Sequence, residues 1–128
     1  MNKAALQISA ILGGLGVILG AFGAHKLKEL IPNPDLIASW ETGVRYQMYH
    51  AIMIAVVAIL QNYFKSGLLQ YTIWMFLTGI ILFSGSIYLL VFLKGVQNIG
   101  LSGLGIITPI GGVFLIIGWL LMLLGLKK

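Results

Sequence analysis

The chain has 128 residues, 59% of them hydrophobic and 9% charged, with a formal net charge of +5 and no cysteine. Soluble domains are about 45–50% apolar and about 25% charged, and 8 basic plus 3 acidic side chains cannot cover a compact soluble fold of this length without large exposed apolar patches. A soluble enzyme or nucleic-acid-binding domain is therefore excluded, as are disulfides, thiolate metal sites and a cysteine nucleophile.

The charges punctuate apolar stretches. Between Lys3 and Lys26 lie 22 uncharged residues, between Arg45 and Lys65 there are 19, between Lys65 and Lys94 there are 28, and between Lys94 and Lys127 there are 32. Each interval can supply the roughly 20 helical residues that cross a bilayer, and none alternates as a transmembrane strand would. The fold predicted is an all-α integral membrane protein, a single domain over 1–128 built as a four-transmembrane-helix bundle, with spans at about 4–25, 46–64, 69–93 and 108–126.

In the first span, Gly13, Gly16, Gly20 and Gly23 recur at helical spacing, a small-residue seam that lets another helix approach closely. Gln7, Gly14, Ala21 and His25 form a different stripe. Lys3, the apolar run and the small residues Ala21 and Gly23 also resemble a cleavable signal peptide, but the run exceeds the usual 7–15 residues and is rich in glycine. The connection 26–45 is predicted to be amphipathic and interfacial. Within it Asn33-Pro34-Asp35 suits a helix start, with Asn33 as N-cap, Pro34 at the first position and Asp35 at the positive dipole end.

On the second helix, Glu41 and Arg45 stand four apart with the acid N-terminal, the better orientation for a helical ion pair. Gly43, Tyr46, Gln47 and His50 occupy the opposite side, so only a bend at Gly43 would bring both sets to one ligand. The third span carries a second small, polar seam at Thr72, Gly79 and Ser86. In the last interval, Thr108-Pro109 suits an N-cap and first helical position. The segment 95–107 is then a Gly-rich loop or re-entrant piece, or else the helix continues through it and kinks at Pro109.

Four spans place both termini on one side of the membrane. Lys and Arg are tied between the two sides, and the reading leans toward cytoplasmic termini. The same topology gathers His25, Glu41, Arg45, Tyr46, Gln47, His50 and Thr108 at one membrane edge, the candidate polar site; an ionisable group such as His50 inside a span is a functional hypothesis by default. Two histidines without a third ligand are weak grounds for a metal, no cofactor is predicted, and no HExxH, P-loop or Gly-x-Ser-x-Gly pattern occurs.

Several segments carry a resemblance in this order: Gly20-Ala21-Phe22-Gly23-Ala24-His25, Trp40-Glu41-Thr42-Gly43, Tyr46-Gln47-Met48-Tyr49-His50, Phe83-Ser84-Gly85-Ser86-Ile87-Tyr88 and Ile107-Thr108-Pro109-Ile110-Gly111-Gly112. Gly118-Trp119 follows near the end. Over essentially the whole chain this set resembles the YgdD-like family of small multi-pass membrane proteins, the domain of unknown function numbered four-two-three. The resemblance implies a plasma-membrane protein with four spans, eukaryotic relatives and no established activity to carry over. It also argues against removal of the first span.

The leading expectation is a non-enzymatic protein of the inner or plasma membrane. Its partners would be the lipid bilayer and either a second copy or other membrane proteins, met by helix packing, with no nucleic acid. One alternative is a transporter or channel subunit whose mouth is His25, Arg45 and His50. A weaker one is a metal-binding protein or enzyme using the histidines.

Overall fold

The computed structural model describes residues 1–95 and 104–127, and the described residues form helices joined by short turns, with no strand among them. In chain order, α1 is Lys3–Ala24, α2 Lys26–Leu30, α3 Pro34–Leu60, α4 Leu68–Gly95 and α5 Leu104–Gly125. Among the described residues, four helical stretches are long and apolar enough to cross a membrane, the first running through α1 and α2. The chain is thus an all-α membrane protein. Helix is the open-chain solution for a bilayer, because each span satisfies its own backbone groups where water is absent.

The helices pack in a row: α1 on α3, α3 on α4 and α4 on α5, with the short α2 folded against α1. Two apolar clusters hold the row. One, toward the termini, joins Ala5, Ile54, Val57, Phe76, Ile80 and Leu115. The other joins Leu27, Ile31, Ile37, Trp40, Ile87 and Val91 at the opposite end. Between them lies a polar layer containing Gly43, Gln47, His50 and Ser84, all buried. Since lipid is as apolar as leucine, burial alone does not bring these helices together; close packing and hydrogen bonds do.

Local chemistry sets the helix boundaries. Asn33 caps α3, its Oδ1 accepting from Asp35 N at 3.0 Å and Leu36 N at 3.4 Å, so most of the connection expected over 26–45 is helical, broken only around 31–33. The α3 helix passes Gly43 without a break. The bend that alone would have brought the two sets of side chains to one ligand is therefore not formed: with Tyr88 Cε1 3.0 Å from where a Cβ would stand, the missing side chain makes room for α4 and does not loosen the backbone. The α5 helix starts at Leu104 and carries Pro109 inside it, which replaces the reading of Thr108-Pro109 as its cap. Proline so near a helix start removes only one backbone bond. The rest of the segment expected as a Gly-rich loop or re-entrant piece, 96–103, lies outside the described residues.

Candidate functional site

The residues gathered by topology at one edge divide in the structure into an exposed set and a buried set. His25 is exposed at the junction of α1 and α2. Its backbone N–H closes α1 by bonding Ala21 O at 3.2 Å and Phe22 O at 3.3 Å. Glu41 and Arg45 are exposed on α3. The ion pair expected between them is absent: Arg45 Nη2 donates to Thr42 Oγ1 at 3.1 Å, and among the described residues the salt bridge found joins Lys26 to Glu29. An exposed helical pair gains only about 0.3–0.5 kcal/mol, little enough for a nearer hydroxyl to compete. His25, Glu41 and Arg45 therefore do not converge with His50.

Gln47 and His50 point into the bundle, 3% and 4% exposed. Gln47 holds three helices together: its Nε2 donates to Leu12 O on α1 at 2.8 Å and its Oε1 accepts from the Tyr88 hydroxyl on α4 at 2.7 Å. One turn earlier, Ser84 Oγ donates to Gly43 O at 2.6 Å, and Trp40 Nε1 donates to Leu19 O at 2.9 Å. Deeper, Ser9 Oγ donates to Ala51 O at 2.7 Å.

His50 is bonded at both nitrogens. Its Nδ1 lies 2.7 Å from Tyr46 O, and a carbonyl only accepts, so Nδ1 carries the proton. Its Nε2 accepts from Trp119 Nε1 on α5 at 3.0 Å. The ring is thus neutral, held edge-on to Phe76 and Trp119 at centroid distances of 5.1 and 5.8 Å. With neither nitrogen free, it is a cross-brace between α3 and α5. Among the described residues no three His, Cys, Asp or Glu side chains stand together as a metal set would. Tyr46 flanks the brace, 39% exposed. Thr108 meets Ser86, their hydroxyl oxygens 2.6 Å apart, across α4 and α5.

The small-residue positions also line helix crossings. A Cβ on Gly16 would strike Met48 Sδ, one on Gly20 would come 3.3 Å from Val44 Cγ1, and one on Gly23 would strike Trp40, all on α3. Gly79 lies against Leu115 of α5, while the buried Thr72 returns its hydroxyl to Leu68 O of its own helix at 3.0 Å. Gly13 faces open space.

Sequence reasoning missed Trp119 as the partner of His50, although an indole N–H within a membrane span calls for an acceptor and few side-chain acceptors lie within the spans. It also missed an amide triangle at the terminal end. There Asn2 Nδ2 donates to Gln61 Oε1 at 3.0 Å and Gln70 Oε1 at 3.2 Å, and Gln61 Nε2 donates to Gln70 Oε1 at 3.1 Å. No buried side-chain nitrogen or oxygen among the described residues lacks a partner.

A double-mutant cycle tests the brace. His50→Leu and Trp119→Phe are expected to show a coupling of about 0.6 kcal/mol, at most about 1.7, the range of hydrogen bonds between membrane helices. It is read from unfolding in a fixed detergent. Additive effects would mean that the two rings do not interact.

Residues 19–112 match the family model described as "Protein of unknown function (DUF423)". The UPF0382 membrane protein YwdK of Bacillus subtilis is 43% identical over 127 residues, 98% of each chain. The UPF0382 membrane protein C1782.12c of Schizosaccharomyces pombe is 38% identical, over 91% of this chain and 96% of its own length. A UPF0382 membrane protein of Haemophilus influenzae is 39% identical, over 100% of this chain and 97% of its own length. No solved structure matches.

Proposed function

Because the chain belongs to the DUF423 family of membrane proteins, whose function is unknown, we propose that it is a non-catalytic assembly protein of the cell membrane that packs laterally through the outer face of α1. The observation that carries this is Gln7. Its carboxamide is exposed one turn inside Lys3 and makes no hydrogen bond among the described residues, and glutamine in an apolar span is glue for another helix.

Two further features support the reading. The Gly16–Gly20–Gly23 seam is already occupied by α3, so the opposite stripe is the one left for a partner. That stripe has Ala10, Gly14 and Ala21 exposed, with nothing within 4 Å of a Cβ built on Gly14, so a second backbone can come close. The partner proposed is a second copy of the chain, with cytoplasmic termini.

The natural chain has no cysteine, so single cysteines report without background. Under oxidation in native membranes, Gly14→Cys and Ala21→Cys are expected to form covalent dimers and Ile116→Cys on α5 is not. Adding Gly14→Ile should abolish the Ala21→Cys dimer while unfolding stays unchanged, since that position has open space. Monomers throughout, or dimers at Ile116 alone, would overturn the proposal.

A further inference from the structure

The row of helices leaves α3 and α5 side by side on α4, with a furrow between them that opens into the lipid. The structure describes it in two parts. The deeper, about 490 Å³, is lined by Tyr46, Tyr49, His50, Ile52, Met53 and Trp119. The shallower, about 310 Å³, is lined by Ser39, Thr42 and Thr108 with the apolar Phe83, Ile87, Leu90 and Val91. The His50–Trp119 hydrogen bond bridges the deeper part.

Arg45 lines neither part but lies beside the furrow, between Thr42 of the shallower part and Tyr46 and Tyr49 of the deeper one along α3. It precedes Tyr46 and lies one turn from Tyr49 on the same side of α3, and its bond to Thr42 holds the guanidinium at the wall of the shallower part. No carboxylate pairs with it among the described residues, so most of its five N–H donors are uncommitted. The hydroxyls of Tyr46 and Tyr49, 39% and 53% exposed, donate to no group among the described residues. An unpaired guanidinium at the membrane edge, above an aromatic and aliphatic cleft, selects an occupant with an anionic head and an apolar tail.

We propose that this furrow is a phospholipid-binding site, with the lipid phosphate on Arg45 and one acyl chain lying along Tyr49, Met53 and Trp119. Guanidinium and phosphate match as a bidentate pair, and the two tyrosine hydroxyls supply donors to the phosphate and ester oxygens beside it. A free phosphate can reach Arg45 from the water side but would leave the deeper cleft unfilled. A packed partner helix would have to pass the His50–Trp119 bridge, which an acyl chain can follow. The site lies on α3 and α5 and is independent of the α1 face proposed above for assembly.

The test is lipid retention by the full chain in native mass spectrometry. It compares dioleoyl phosphatidylglycerol, dioleoyl phosphatidylethanolamine and phosphate-free dioleoylglycerol, with inorganic phosphate as soluble competitor. Both phospholipids are expected to be retained over dioleoylglycerol and to resist inorganic phosphate. Arg45→Gln should lower retention about tenfold, the scale of one hydrogen bond to a charged group, and Arg45→Lys, which keeps the charge but loses the bidentate match, should fall between Arg45→Gln and the natural chain. Met53→Trp, which fills the deeper cleft with the guanidinium in place, should lower it as well. Equal retention of dioleoylglycerol, displacement by inorganic phosphate, or retention indifferent to both Arg45→Gln and Met53→Trp in chains with unchanged unfolding overturns the proposal. So does closure of the furrow by a second copy, seen as a dimer that excludes lipid.

Discussion

Gly111→Ala is expected to cost about 3 kcal/mol or more, the upper end of overpacking penalties, and neighbouring Gly112→Ala is expected to cost nothing. A Cβ on Gly111 would stand 2.7 Å from both Leu82 C and Phe83 Cα. These are main-chain atoms of α4, and no rotamer change removes them, so the two helices must separate. Separation would also strain the Ser86–Thr108 contact and the His50–Trp119 brace. On Gly112 the nearest atom is Phe83 Cδ1 at 3.7 Å, an ordinary contact, and alanine improves helix propensity by up to about 1 kcal/mol. Unfolding of both variants in one detergent decides the matter. Equal stability would mean that α4 and α5 do not cross at Gly111.

The second large effect belongs to Gln47. Replacing it with leucine removes the bonds to Leu12 O and to the Tyr88 hydroxyl at once and leaves that phenol within the bundle without its acceptor. Such an orphaned group costs about 1–3 kcal/mol, whereas removing both partners can be nearly neutral. Gln47→Leu is therefore expected to destabilise by that amount, and Gln47→Leu with Tyr88→Phe to recover part of the loss. A double variant less stable than Gln47→Leu would refute the arrangement.

The four-helix membrane fold was legible because lysines and Arg45 interrupt otherwise uncharged runs and because membrane thickness fixes the helix length needed. Helical spacing was legible too: it put Glu41 and Arg45 on one side of α3 and Gln47 and His50 on another, and an unbroken α3 keeps them apart. The partner of each polar group was not. Trp119 lies 69 residues from His50, and nothing local to either residue encodes which helices become neighbours. The Glu41–Arg45 pair misled because its spacing permits a weak interaction without requiring it. Thr108-Pro109 misled because the pattern of a helix cap is also tolerated in a helix's second turn. The glycines show the same limit, since Gly13 and Gly16 share a spacing pattern while only Gly16 meets another helix.

The order in which the helices pack bears on how the molecule is built. Each span after the first rests on the one synthesised just before it, so each crossing can close as the next helix enters the bilayer. Gln47 meets Leu12, already inserted, and then Tyr88 on the following span, so its carboxamide does not wait in lipid for a distant partner. The His50–Trp119 bond skips a span and can form only when the last helix is in place. It is therefore the closing step of assembly, and a probe of the Trp119 environment during synthesis would time the completion of the fold.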